Sequence, residues 1–108
     1  LAPLRQEGVL IVGSGAATHN MAAFSADYTA APPAWATEFD TWLAATIAQN
    51  DLAALVNYRQ LAPHAERNHP TDEHLLPLFV ALGAGGQGRQ VNQGFTYGAF
   101  SMAAYRFD

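Results

Sequence analysis

The chemistry open to this chain is set by a short inventory: four histidines, nine Asp or Glu, five Arg, and no cysteine or lysine. Without cysteine there is no disulfide scaffold, no thiolate metal ligand and no thiol nucleophile. Metal or acid–base work must run on imidazole and carboxylate. His19 ends a run of small residues, Gly13-Ser14-Gly15-Ala16-Ala17-Thr18-His19-Asn20. That approach leaves space around the ring, and Asn20 is placed to orient it. An imidazole titrates near neutral pH, so a histidine held there can take or give a proton. The other informative stretch is His69-Pro70-Thr71-Asp72-Glu73-His74. With Thr71 as a helix N-cap, His74 falls at the third helical position. The positive end of the helix then favours the neutral, metal-ligating imidazole. Pro77 would lie too deep in that helix to escape its steric penalty, and a broken local rule beside a histidine marks a functional site.

Plainer readings compete with each of these. His19 can be a structural hydrogen-bonding residue, and His69 and His74 can sit on a solvated first turn. His64 has no special context and reads as a surface residue. Asp72 and Glu73 read as acids that complement the helix dipole, since adjacent residues on a helix cannot converge on one bond.

Elements must position these side chains. Gly8-Val9-Leu10-Ile11-Val12-Gly13 is an apolar run between glycines and predicts a buried strand of parallel type. His19 would then lie near its C-terminal end, where open α/β sheets collect their ligand sites. After the strand, Gly13-Ser14-Gly15-Ala16-Ala17 approaches the dinucleotide fingerprint. No helix opens at that turn, however, and Pro32-Pro33 interrupts the stretch where a second strand should run. A tight turn whose small residues let the backbone approach a neighbour explains the glycines better. Trp35, Phe39, Trp42, Leu43 and Ile47 recur at helical spacing from about Ala34 and form one apolar, core-directed face. Asn50 or Asp51 ends this helix and caps a second one, which carries Leu52, Leu55 and Val56 and stops at Ala62-Pro63. A polar connection over 63–70 leads to a third helix with the stripe Leu75, Leu78, Phe79, Leu82. Gly83 to Gly88 reads as a mobile link, and strand character returns at Phe95-Thr96-Tyr97 and across 101–107. The order predicts an α/β fold.

Composition narrows the function classes. Half the residues are hydrophobic and 22 are Ala, but only 13% are charged, with a net charge of −4. That is well below the roughly 25% charged residues of an average soluble domain. A basic patch dense enough for phosphates is absent, which excludes a nucleic-acid partner. No apolar run reaches the roughly 20 residues of a membrane span, and no signal-peptide pattern opens the chain. The expectation is a cytoplasmic protein with neither nucleic-acid nor membrane partners. A zinc hydrolase is disfavoured, because H-E-x-x-H and a convergent carboxylate base are missing.

Three segments, in order and spacing, carry a resemblance. The run Gly8 to Asn20 resembles the G-S-G-x-x-x-H-N segment of class III extradiol ring-cleaving dioxygenases, nearest to the DOPA-4,5-dioxygenase-like branch. His69-Pro70-Thr71-Asp72-Glu73-His74-Leu75-Leu76-Pro77-Leu78 is similar to that branch's H-P-T-x-E-H-x-x-P-L. Ser101 to Phe107 is similar to its closing S-M-x-x-Y-x-F/W strand, and Phe39-Asp40-Thr41-Trp42-Leu43 fits between them. The resemblance implies an O2-dependent opening of a catechol-type ring at a non-haem metal, Fe(II) or Zn(II). It implies that His19 is the acid–base histidine that takes a catechol proton. His74 would be a metal ligand, and His69, Asn20 and Ser14 would be substrate-pocket residues.

Family members run to about twice this length, with two further ligating histidines in their N-terminal half. Residues 1–108 are therefore expected to be one partial domain. It would be the C-terminal portion of the catalytic-subunit fold, a central sheet with flanking helices, with its metal incompletely ligated and no turnover alone. Its partners would be a small aromatic diol and O2, together with a second copy of the chain or a separately encoded N-terminal partner. The alternative is a non-catalytic remnant or interaction domain that retains the fold.

Overall fold

The computed structural model describes residues 1–108. Helices α1 (Ala2–Gln6), α2 (Ala34–Ala48), α3 (Leu52–Val56), α4 (Tyr58–Leu61), α5 (Ala65–Asn68) and α6 (Leu76–Ala84) are followed by strands β1 (Gly88–Asn92), β2 (Phe95–Thr96), β3 (Phe100–Ser101) and β4 (Ala104–Phe107). The α/β class holds. Its sheet component is two antiparallel pairs, β1 with β4 and β2 with β3.

The longest helix, α2, organises the core. Extended Pro33 precedes it, and the spacing of Trp35, Phe39, Leu43 and Ile47 by four puts all four on one buried stripe. Phe39, Leu43 and Ile47 pack with Ala17, Leu55, Tyr58, Ala62, Ala65 and Leu75, while Trp42, Leu78, Phe79 and Leu82 close the margins. Trp35, Ala36 and Ala99 form a smaller cluster. Asn50 leaves α2 in the left-handed region, which Asn tolerates well. Asp51 then caps α3, its Oδ1 accepting from the Ala54 amide at 2.9 Å. The single second helix expected from sequence divides at Asn57, where α3 ends and α4 begins. The polar 63–70 connection contains α5, entered through a left-handed His64.

Four further expectations are corrected. The apolar run 8–13 forms no strand, because no strand of this chain lies beside it to pair with; Leu10 is 85% and Val12 75% exposed. Thr71 does not cap a helix, since its hydroxyl donates to the Glu73 carboxylate at 2.7 Å. The helix instead starts after Leu75, which puts His74 outside it and Pro77 within the first two helical positions, where proline is tolerated. The Gly83–Gly88 link is partly helical and then enters β1, whose polar sequence Gly-Arg-Gln-Val-Asn gave no strand signal and which forms by pairing with β4. Finally, residues 101–107 split between β3 and β4.

Candidate active site

Residues 16–20 and 67–74 run past each other in opposite directions and are joined at four points. The Ala16 amide donates to the His74 carbonyl at 2.8 Å, and the His19 amide donates to the Asn68 carbonyl at 2.9 Å. The His69 ring bonds the Ala17 carbonyl at 2.8 Å, and the Asn20 amide group donates to the Arg67 carbonyl at 2.7 Å. Thr18 ties the same segment to the β2–β3 hairpin. Its hydroxyl donates to the Ala99 carbonyl at 2.7 Å and accepts from the Ser101 amide at 2.8 Å.

This lacing brings His19 and His74 face to face, with ring centroids 3.5 Å apart and planes inclined by 18°. Phe100 lies beyond His19, nearly parallel to it, at 6.2 Å. Both imidazoles are half-buried. The glycines explain the close approach. A Cβ on Gly13 would fall 2.2 Å from the Pro77 carbonyl oxygen, and one on Gly15 would fall 2.3 Å from that of His74. Only glycine lets the Ser14 loop lie this tightly against the start of α6. The turn therefore serves backbone approach, as its small residues suggest, and the neighbour it approaches is the His74–Pro77 backbone.

The remaining residues singled out from sequence have different settings. His69 is completely buried, against Phe39 and Tyr58, and is not among the residues lining the groove that Ser14 and His74 share. Because a carbonyl only accepts, its Nε2 carries the proton given to Ala17. Its Nδ1 is buried without a partner. Burial lowers its pKa below the ordinary imidazole value, and the bond to Ala17 opposes that shift only in part. Asn20 does not orient the His19 ring. Its Oδ1 accepts from the Ala22 amide at 3.0 Å, capping a short 3-10 turn at Met21–Ala23, while its nitrogen is held by Arg67. Ser14 is exposed and shares a groove with His74. His64 pairs with Glu38 at 2.6 Å on the surface. Asp72 accepts from the Tyr58 hydroxyl and from Arg59 at 2.7 Å, and Tyr58 chiefly holds its carboxyl below the usual range.

Sequence reasoning missed the network around Asp40. This residue is buried on α2 and accepts from the Ser101 hydroxyl at 2.5 Å. Loss of solvation raises its pKa, and the Ser101 bond only partly offsets the rise. From sequence Asp40 reads with Thr37, Glu38 and Thr41 as part of the polar face of α2; the structure turns it inward instead, where Ser101 partners it.

A metal centre of the kind the resemblance implies needs several convergent donors. No group of three or more His, Asp or Glu is assembled in this chain. Nor can the stacked pair chelate one ion as placed: imidazole lone pairs lie in the ring plane, so near-parallel rings aim them side by side. The residues present do not fit a complete metal centre, and His74 offers one donor.

The chain in which this glycine turn lies against a proline-led helix, with two histidines stacked where they meet, belongs to the family of the catalytic LigB subunit of aromatic ring-opening dioxygenases, whose model matches residues 1–108. It is similar to the 4,5-DOPA dioxygenase extradiol of Mirabilis jalapa, 39% identical over 114 residues that cover 99% of this chain and 41% of that protein. The corresponding protein of Beta vulgaris is 36% identical over 110 residues, with the same two coverages. The crystal structure of an uncharacterized protein from Escherichia coli K12 matches with a TM-score of 0.88 at 31% identity. That match covers 100% of this chain and 46% of the other. The chain thus spans about 41% of the length of these curated relatives.

Proposed function

We propose that these residues form one wall of an extradiol ring-opening site for a catechol-type diol, where a non-haem metal would bind the diol and, as Fe(II), would supply the O2 chemistry that Zn(II) cannot. In this reading His19 takes a proton from a diol hydroxyl, and His74 contributes one nitrogen to the metal. The remaining donors come from outside the 108 residues. The observation that carries the reading is the His19–His74 stack, two imidazoles with ring centroids 3.5 Å apart, one of which would serve as proton acceptor and the other as ligand. Ser14, beside His74 at the open groove, is a candidate substrate contact. DOPA is the first diol to try, because relatives over this stretch are described as DOPA dioxygenases.

One donor does not hold a metal tightly, so the 108-residue chain should bind Fe(II) or Zn(II) weakly and show no ring cleavage alone. Joined to the remainder of a LigB subunit it should turn over, and His19→Ala or His74→Ala should abolish that activity. The check is ring-cleavage absorbance with DOPA, O2 and Fe(II), alongside metal titration of the chain and of His74→Ala. Robust turnover by the isolated chain would sink the proposal. A non-catalytic interaction domain that retains the fold is the second reading. Its signature is a joined protein that folds and binds metal yet opens no ring.

A further inference from the structure

Beyond His19 the stacking continues outward through rings that the proton transfer and the metal do not use. Phe100 lies nearly parallel to His19, Phe24 lies 5.7 Å from Phe100, and Tyr97 stacks on Phe24 at 5.0 Å. Tyr28 closes the row, edge-on to Tyr97 at 6.5 Å. The outer rings are not core: Phe24, Tyr28 and Tyr97 are 48%, 67% and 38% exposed. Their backbone is nevertheless fixed. The Tyr97 amide donates to the Tyr28 carbonyl and the Ser25 amide to the Tyr97 carbonyl, both at 3.1 Å, and Phe24 bridges to Gly98. Tyr97 sits in the left-handed region at φ 50°, followed by Gly98 at φ 78°. Two successive left-handed residues in a hairpin turn favour Asn-Gly, so a bulky aromatic in the first place carries strain. Strain of this kind gathers at ligand-binding positions.

We infer that Phe24, Tyr97 and Phe100 form the specificity wall of the site, receiving an uncharged aromatic substituent on the diol ring. The inference rests on the ring-opening reading and names its substrate class: catechols with an apolar, aromatic group beyond the diol. Two observations choose this ligand. The wall is continuous with His19, so a diol that gives its proton to that imidazole has the row of rings beside it. The wall also has no charge to offer. Asp27 is the one charged residue between Asn20 and Trp35, and its carboxylate is taken up by the Thr29 amide at 2.8 Å and hydroxyl at 2.7 Å. Residues 95–101 carry no charge at all. A flat, uncharged ring gains most against such a surface, through aromatic contacts and through loss of apolar area to water.

The test uses the chain joined to the remainder of a LigB subunit, with 4-phenylcatechol, catechol and DOPA as diols and ring-cleavage absorbance as the readout. Tyr97→Asn removes the ring and suits the left-handed backbone. It should raise the KM for 4-phenylcatechol about 10-fold, while kcat and the KM values for catechol and DOPA stay within about twofold of native. Phe24→Ala should act alike, and Tyr97→Phe, which keeps the ring, should restore the native KM. A KM that rises equally for all three diols, or a comparable fall in kcat, overturns the inference. The wall is judged apart from the chemistry by titrating 4-phenylcatechol into the 108-residue chain, followed by nuclear magnetic resonance. The Phe24, Tyr97 and Phe100 ring signals should shift while those of buried Phe39 stay in place. Unmoved signals in the wall overturn the inference. If the joined protein opens no diol while these signals shift, the ring-opening reading fails and the wall stands as a site for an aromatic ligand.

Discussion

The stripe of α2 and the Val9–Val12 run are equally apolar, yet one is buried at the centre of the core and the other is largely open. Phe39 and Leu43 have no exposed surface, whereas Leu10 is 85% exposed. The difference lies in the backbone. A helix pairs its own amides and carbonyls, so α2 needs only side chains to cover its stripe, and α3 to α5 supply them. An extended run needs a neighbour for its backbone as well as for its side chains. Apolar content alone thus predicts burial of a helix better than burial of a strand.

The contrast is sharpest in the substitutions it predicts. Phe39→Ala should destabilise the isolated chain by about 3–5 kcal/mol, read from denaturant unfolding, because it empties the centre of the core. An unfolding midpoint near the native one would mean that the core is looser than described. Next, His69→Ala should cost about 2–4 kcal/mol, since it leaves a cavity and strands the Ala17 carbonyl. His69→Phe would restore volume but not the bond, so it should recover only part of the loss. Gly13→Ala should cost about 1–3 kcal/mol, by forcing the Ser14 loop away from α6, with a change in the His74 ring resonances as the companion readout. Leu10→Ser, on the open side, should change the stability of the isolated chain by less than about 0.5 kcal/mol. A large loss there would show that the run is covered in the free chain.

The pH dependence separates the histidines further. Burial lowers the His69 pKa in the folded chain, so folding favours its neutral form and the unfolded state binds the extra proton more readily. The His69 contribution is complete above the unfolded imidazole value of about 6.5 and is lost as pH falls through and below it. Stability curves of the native chain and His69→Phe should therefore converge on the acid side of neutrality. Parallel curves would show that the buried ring does not contribute in this way.

Much of the helical half was legible in sequence because helices announce themselves locally. The four-residue spacing of Trp35, Phe39, Leu43 and Ile47 fixes a face, and Asp51 caps the next helix through its own side chain. Where partners distant in sequence decide, reading failed. β1 is polar and exists through its pairing with β4, while 8–13 is apolar and has nothing to pair with. The start of α6 was misplaced because Thr71 bonds Glu73, and Asp72 is drawn to Tyr58 and Arg59, a contact 13 residues or more away along the chain. His19 and His74 stood out by motif, and their stacking came from lacing that no local pattern encodes. His69 stood out by the same motif, but the four residues of Pro-Thr-Asp-Glu between it and His74 separate a core position from a half-buried one.

That lacing also fixes when the histidine pair can form. The His69–Ala17 bond spans 52 residues and the Asn20–Arg67 bond spans 47, and the enclosed chain includes α2 to α4. Closing so long a loop before those helices have condensed brings an entropic loss with little contact in return. The pair should consequently assemble late in folding, after the helices have shortened the path between its two segments. Once assembled, the two backbones that carry it cannot part by local fraying, because separating them means breaking the buried His69–Ala17 and Thr18–Ala99 bonds.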